Sequence, residues 1–497
     1  MISGTLIVLS VIVIVLGYFL SNRYKWKKCP PGPRRLPFVG NLLALDPLQF
    51  RSYSKWADEF GPIIRVDLAT TKTVVISDYK MLKEIFSDPA FSGRMDFTIF
   101  DIAGKEKRHG IVNTEGEHWE ELRRFSLRQL RDFGFGKTSM EDLVMAEVNE
   151  LIEIWKESEG KPVSSVKDQL LFAVVNALWT ITTGKRHSQK DTVLFEMTTK
   201  SNESLSEILE SGGVLLFVPK LAKIFPTWSG LTKTRKTGEE FAAYFKKPID
   251  EHKKSYDGNY TRDFIDVFLK EIKDTTNPTS PFHGQFGEDN LLGVISDFYF
   301  AGNDTTSTTL AWMILYLTKL PEIQKKIQAE IQEITGNTRP VSLKDRPNMP
   351  YTEAVIAETL RFSSITPQGV GHRAIRDKEF HGYLIPKDTV ITPNIYYIHF
   401  DPKIWGDPEN FRPERFLSPD GKTFKKHEAL VPFSIGRRQC LGESLARDSL
   451  FLFATNIFQR FEIKFDKNGP DHGFEPKVGF IVITPMPFNI ILKDRLV

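Results

Sequence analysis

Two cysteines occur in the 497 residues, and one of them, Cys440, sits in the run Phe433, Ser434, Ile435, Gly436, Arg437, Arg438, Gln439, Cys440, Leu441, Gly442. A lone thiolate cannot build a zinc site, which needs several ligands at close spacing, and the one possible disulfide partner is the distant Cys29. One thiolate is enough to ligate a metal held in a flat macrocycle. Its neighbours suit that use. Phe433, seven positions earlier, can pack over the loop, Gly436 and Gly442 permit tight backbone turns beside a planar group, and Arg438 can reach a carboxylate on its rim. The bland alternative is an inert buried thiol in a glycine-rich loop, because an unpaired cysteine usually behaves as a small hydrophobe.

Three further groups of residues bear on that choice. Ala301, Gly302, Asn303, Asp304, Thr305 and Thr306 are poor helix material inside an apolar helical stretch, since the polar side chains compete for backbone hydrogen bonds. A local opening there can hold a water, while a hydroxyl bonds a nearby oxygen and a carboxyl relays protons from solvent. Trp119 and Arg123, four apart, put an indole donor and a guanidinium on one helical face, a pair suited to carboxylates. Glu358 and Arg361, three apart, form an ion pair that on its own says little.

The Cys440 run resembles the haem-binding signature of the cytochrome P450 family, F-x-x-G-x-R-x-C-x-G, at every fixed position. Residues 301–306 resemble the same family's oxygen-activating motif, A/G-G-x-D/E-T-T/S, and Pro413, Glu414, Arg415, Phe416 its PERF segment. The stretch from Trp119 to Phe125 is similar to its C-helix motif, and that segment with the glycine-flanked Phe135 points to the microsomal animal clan of drug, steroid and juvenoid hydroxylases. The resemblance implies haem b with Cys440 as axial ligand, and Phe433 and Arg438 in its loop. It further implies that Trp119, Arg123, His372 and Arg94 join Arg438 as partners of the haem propionates, although Gly371 stands where relatives usually place proline. Thr305 becomes the oxygen-activating hydroxyl, Asp304 a member of the proton path, and Glu358, Arg361 and Arg415 a buried structural cluster. Ala301, Thr366, Gln368 and Val370 are expected to line the substrate pocket, Gln368 being polar where an apolar residue is common.

The implied reaction inserts one oxygen atom from O2 into a lipophilic small molecule, an endogenous lipid such as a sesquiterpenoid or steroid, or a xenobiotic. No G-x-G-x-x-G follows an expected strand, and Gly136, Lys137, Thr138 lacks the upstream glycine of a phosphate loop, Arg131 standing in its place. Electrons must therefore arrive from another protein, and the resemblance implies that they come from NADPH through NADPH–cytochrome P450 reductase, with cytochrome b5 as a second donor. Arg124, Arg128, Arg131, Lys425, Lys426 and Arg437 are expected to form the acidic partner's docking face, or only a solvated basic face. A haem-thiolate isomerase or dehydratase and a non-enzymatic haem carrier or sensor are the alternatives, each lacking a use for the Asp304–Thr305 pair.

Around these residues the chain must supply a large core. It is 41% apolar with 38 phenylalanines, and its formal net charge of +3 gives no sign of a nucleic-acid partner. Residues 2–20 carry no charge and are followed by Arg23, Lys25, Lys27 and Lys28, the order expected of an uncleaved membrane anchor with a cytosolic basic flank. The expected organisation is a transmembrane signal anchor over 1–22, a basic and proline-rich hinge over 23–40, and a single haem-thiolate catalytic domain over 41–497. That places the protein in the endoplasmic reticulum membrane, single-pass, with its catalytic domain cytosolic. The fold is expected to be mainly α with a small β part, the cytochrome P450 fold with an N-terminal transmembrane helix. The pattern predicts a hairpin from Ile63–Leu68 and Thr73–Ser77, a long helix from Asp289 to Leu320, and helices over 321–336 and 351–362. It also predicts strands near His381–Ile385 and Thr389–Pro393, irregular chain over 401–420, and a last strand pair near Phe461–Phe465 and Phe480–Ile483.

Overall fold

The computed structural model describes residues 28–496 except 96–107, 133–137, 190–195, 198, 201–216, 259 and 480, together with positions 13 and 17. Helices dominate. Those that build the site are α1 (Gln49–Phe60), α2 (Tyr79–Ser87), α3 (Gly116–Asp132), α4 (Thr138–Lys156), α5 (Val166–Thr183), α6 (Leu231–Ser255), α7 (Phe264–Asp274), α8 (Gly284–Lys319), α9 (Pro321–Thr335), α10 (Pro350–Ser363), α11 (Ile395–His399) and α12 (Glu443–Arg460). At 36 residues α8 extends for about 54 Å and serves as the axis around which the others pack. Its leucine, isoleucine and aromatic side chains from Leu310 to Leu317 are almost wholly buried. Phenylalanine supplies much of the remaining interior: Phe125, Phe264, Phe268 and Phe282 meet edge to face or tilted, joining α3, α7 and the entry to α8.

The β part is small. Strands β1 (Ile63–Leu68) and β2 (Thr71–Ile76) form the expected hairpin, but its loop is only Ala69–Thr70, with Ala69 in the left-handed region at φ 52°. Next come β3 (Gly93–Arg94), β4 (Pro162–Val163), β5 (His372–Arg373), β6 (Lys378–Phe380), β7 (Tyr383–Ile385) and β8 (Val390–Pro393). Strand β8 pairs in parallel with β2 and antiparallel with β5, giving a five-stranded sheet in the order β1-β2-β8-β5-β3. This sheet carries Arg94 and His372 side by side as paired residues. Strand β7 pairs with β6 across His381 and Gly382, both at positive φ, as a tight hairpin requires.

The last strand pair differs from expectation. The partner of β9 (Phe461–Phe465) is Ile490–Asp494, where Ile490 and Leu492 are buried at every second position. Residues 481–483 make no strand, and Thr484–Pro485 pairs with Pro476–Lys477 instead. Prolines 485 and 487 lack the N–H groups that a longer ladder would use.

The membrane anchor is corrected. No helix among the described residues is long and apolar enough to cross a bilayer. The longest, α8, has the length but carries Glu288, Asp289, Asp297, Asp304 and Lys319 and is packed inside the globule. The span expected over 1–22 lies outside the described residues except at two positions, so neither a transmembrane helix nor single-pass attachment to the endoplasmic reticulum is retained. The glycine-flanked Phe135 region, 133–137, also lies outside them. The proline-rich stretch does not stand off as a tether: Arg65 N donates to Pro31 O, Arg35 pairs with Asp67 at 2.9 Å, and a side chain at Gly32 would collide with Arg65 O.

Beneath the cysteine loop lies a buried charge network. Arg361 Nε and Nη2 both donate to Glu358 at 2.8 Å, and neither residue has exposed surface. Glu358 also accepts from the Arg412 N–H at 2.8 Å and lies 3.1 Å from Arg415 Nε. The remaining guanidinium donors go to the carbonyls of His399, Trp405, Asp407, Pro408 and Asn410. His399, fully buried, continues the chain: Nδ1–H donates to Ser364 Oγ at 2.8 Å and Nε2 accepts from Val431 N at 3.0 Å, two residues before Phe433. Burial, with Arg361 nearby, pushes its pKa down to about 3, so the ring stays neutral and keeps this tautomer. Glu358→Gln should therefore cost about 3–5 kcal/mol by leaving Arg361 uncompensated, and His399→Ala about 1–3 kcal/mol by orphaning two buried partners. The exposed Lys326–Glu414 pair is the control, and Lys326→Ala should stay within about 0.5 kcal/mol. Urea midpoints of the three variants check this order.

Candidate active site

The cysteine loop is shaped by its backbone. Cys440 N donates to Phe433 O at 2.9 Å and closes the loop, and Ser434 and Gly436 take φ 59° and 79°. At Gly436 a Cβ would lie 2.2 Å from Phe86 O, so both conformation and space require glycine. Gly442 is different. Its φ of −92° suits any residue and a Cβ there would touch no protein atom, yet it lines a cavity, so its smallness keeps that surface flat.

That cavity has a volume of about 1640 Å³ and is bordered by Cys440 on one wall and by Ala301, Asp304 and Thr305 of α8 on another. Cys440 is open to it though densely surrounded by protein, and burial raises its thiol pKa. The Gly442 N–H and Arg123 act in the opposite direction, favouring thiolate. Ala301 is exposed in mid-helix because it faces this interior space. The local opening expected in α8 is absent: the helix runs unbroken, and Thr305 Oγ1 donates to Ala301 O at 2.9 Å. Gly302 serves instead the contact with α5, where an added methyl would press on Leu178 at 2.3 Å. Asp304 is held at 2.6 Å by Lys167 of α5, beside Asp168, whose carboxyl is raised by burial.

The third wall is cationic. Arg94, nearly buried, donates to the carbonyls of Val112, Val370 and Gly371, and Arg123 Nη2 donates to Gln439 O at 2.6 Å. Arg438 lies over the Trp119 ring at 3.7 Å and bonds the carbonyls of Ser92, Ile111 and Thr114. His372 stacks on Phe86 with centroids 3.6 Å apart and shares a hydrogen bond of 3.0 Å between Nδ1 and Phe91 O. Among the described residues no carboxylate forms an ion pair with Arg94, Arg123 or Arg438. Burial followed by repulsion from Arg123 pushes Arg94 down to about 10, and burial followed by Arg94 pushes Arg438 down to about 8. Burial, Arg94 and Arg438 together hold the His372 imidazolium well below its usual range. Three guanidiniums lowered by burial, two of them also by repulsion from their neighbours, need anions, and the cavity between them and the Cys440 thiol is broad. These residues fit a haem, with its thiolate-liganded metal and two carboxylates.

Thr366 and Val370 line the cavity, as does Phe433, whereas Gln368 does not: its amide is directed to Gln49 at 3.3 Å. Glu358, Arg361 and Arg415 lie apart from it, in the buried network. Of the basic side chains, Arg124, Arg128, Arg131, Lys425 and Lys426 are exposed, Lys426 lies 3.4 Å from Glu443, and Arg437 pairs with Glu120. Sequence reading missed two residues that shape the cavity. Asp297 Oδ2 accepts from the N–H groups of Ile111 and Val112 at 2.6 and 2.9 Å, and Asn290 Oδ1 accepts from Gly110 N at 3.3 Å. Their signal was present as two polar residues seven apart, hence on one face, bracketing the apolar run from Leu291 to Ile295.

A model of the family described as Cytochrome P450 matches residues 30–492. The chain is 33% identical over 488 residues to farnesoate epoxidase of Bombyx mori, with 97% of each covered. It is 37% identical over 475 residues to cytochrome P450 2J2 of Homo sapiens, covering 93% of this chain and 91% of the relative. To cytochrome P450 18a1 of Drosophila melanogaster it is 34% identical over 493 residues, covering 97% and 90%. With likeness running nearly end to end and a thiol, a cationic wall and a hydroxyl–carboxyl pair around one cavity, the chain belongs to the cytochrome P450 family and is a haem-thiolate monooxygenase of lipophilic small molecules.

Proposed function

We propose that residues 41–497 act as one catalytic domain that hydroxylates or epoxidises an endogenous lipid of the sesquiterpenoid type. The single observation that supports this reading most is the cavity itself, bordered by Cys440 on one side and by Ala301, Asp304 and Thr305 on the other. Cys440 would hold the iron of haem b, with Arg94, Trp119, Arg123, His372 and Arg438 receiving the propionates and Phe433 packed against the loop. Haem, when bound, supplies the activation of O2, and a thiolate ligand favours O–O cleavage by pushing electron density to the iron.

The protein's own groups do the rest. The Gly442 N–H and Arg123 favour the ionised sulfur against the cost of its burial. Ile111, Val112, Ile365, Thr366 and Val370 exclude water and hold an apolar substrate against α8, on which Phe298 also lines the cavity. Thr305 Oγ1, resting on Ala301 O, can rotate to donate into the cavity at the cost of one modest hydrogen bond. Asp304, once released from Lys167, can carry protons to it.

Electrons are proposed to come from NADPH through NADPH–cytochrome P450 reductase, with cytochrome b5 as a second donor, docking on the exposed Arg124, Arg128, Arg131 and Lys425. A sesquiterpenoid is favoured over a steroid or xenobiotic because the silk-moth relative that matches nearly end to end is named for epoxidising farnesoate. Titration with sesquiterpenoids, steroids and drug-like compounds, read as the change in iron spin state, should saturate tightly with one sesquiterpenoid, and weak response across all three classes would reject the choice.

Two substitutions test the site. Cys440→Ser should leave a folded protein without the long-wavelength Soret band of the reduced, carbon-monoxide-treated form. Thr305→Ala should lower product formed per NADPH by roughly tenfold or more while hydrogen peroxide release rises, and unchanged coupling would remove Thr305 from the mechanism.

A further inference from the structure

His372 is the one imidazole among the four side chains of the cationic wall, and its geometry limits what it can offer. A carbonyl oxygen only accepts, so the contact with Phe91 O at 3.0 Å puts the neutral ring's proton on Nδ1. Phe86, stacked nearly parallel at an interplanar angle of 12°, fixes the ring plane. Nε2 has no hydrogen-bond partner among the described residues, and the side chain lines the cavity. A neutral ring held this way presents a lone pair at Nε2. A carboxylate presents lone pairs too, so the two repel unless a proton lies between them.

The charges around the ring decide when that proton binds. Arg94 on the paired strand, Arg438 in the cysteine loop and Arg123 on α3 are the nearby cations. The acidic groups on the elements packed here all have partners, though Glu115 also accepts from Arg94 N at 3.0 Å and favours the Arg438 cation, and Asp297 favours that of Arg94. Glu115 is held by Arg373 and by Arg108, Asp297 by the N–H groups of Ile111 and Val112, and Glu84, on the helix that carries Phe86, by His381. With protein alone around it the imidazole is neutral. Two carboxylates entering the wall would cancel the repulsion from Arg94 and Arg438 and set an acceptor before Nε2, reversing both effects.

We propose that His372 takes up one proton from solvent when the haem carboxylates bind, so that in the holoenzyme the cofactor is held by an imidazolium as well as by three guanidiniums. This rests on the haem reading above. The sign follows from linkage: the affinity of the bound state for the proton is raised, so the added retention is present at low pH and is lost as pH rises through the bound-state pKa.

Haem transfer from the intact holoenzyme to an excess of apomyoglobin, followed across the range from about pH 6 to about pH 9, tests it. Wild-type release should accelerate with rising pH, approaching tenfold per unit below the bound-state pKa and levelling off above it. His372→Gln should release haem faster at low pH with that acceleration gone, and His372→Lys should stay slow throughout. The same pH profile in wild type and His372→Gln would overturn the proposal. Should either variant fail to hold haem, wild type decides alone: NMR of the carbon-monoxide-bound ferrous holoenzyme labelled in histidine should show both nitrogens of His372 protonated near neutral pH, and a bare Nε2 would refute it. A wild-type preparation that folds without haem would instead refute the haem reading.

Discussion

A carboxylate with no exposed surface is tolerable only if its lone pairs find donors, and Glu358 meets that condition by joining its own helix to the distant 412–415 segment. Its oxygens accept from Arg361 on its own helix, from the Arg412 backbone and from Arg415. The two guanidiniums then have donors left over, which are satisfied by carbonyls at 399, 405, 407, 408 and 410. The chain from 399 to 416, which has only the short helical turns Pro402–Trp405 and Pro413–Phe416 of its own, is thereby tied to the helix that carries Glu358. His399 transmits this order through Ser364 and Val431 to the segment that leads into the cysteine loop. The sulfur's position thus depends on a charge cluster that never touches the cavity.

The cavity's walls divide the electrostatic work. On the loop side the arginines are costly when buried without anions, and the protein limits that cost by spending several of their donors on backbone carbonyls. Arg438 alone ties the carbonyls at 92, 111 and 114, and Arg94 ties those at 112, 370 and 371. The same bonds pin the 108–115 loop from one side while Asp297 and Asn290 hold it from α8. A loop without regular structure is in this way made into a rigid wall. On the α8 side Asp304 meets a single lysine, and the pair is only partly buried, so its ionic state can change without collapse of the wall.

Much of this was legible in the sequence because it depends on side-chain chemistry at fixed spacing. The Cys440 run, Trp119 with Arg123, and the course of α8, α9 and α10 belong to that class, each read from local pattern. What was not legible depends on partners far away in the chain. Nothing local reveals that Gln368 turns to Gln49, or that β9 pairs with Ile490–Asp494, because both follow from packing of distant segments. The opening expected at Gly302 failed for a similar reason. Poor helix propensity is a weak local term, and the packing of most of α8 in the core outweighs it, while the glycine answers to Leu178 across the interface. His399 escaped notice because a histidine in the run Ile395–His399 looks like core, and its role appears only when Ser364 and Val431 are brought to it.

The glycines illustrate the same division more finely. Gly436 and Gly442 look alike in the motif, yet one is dictated by protein and the other is not. At Gly436 the backbone adopts a conformation closed to other residues and lies against Phe86 O, so any side chain would shift α2 or the loop. At Gly442 an alanine would fit both backbone and neighbours, and its methyl would meet open space beside the cavity that Gly442 lines. A residue that the fold does not require, at the rim of the space beside the thiol, answers to what that space contains. Flatness beside Cys440 is therefore a property of the site rather than of the fold, and it matches the planar group that the three arginines and the thiol call for.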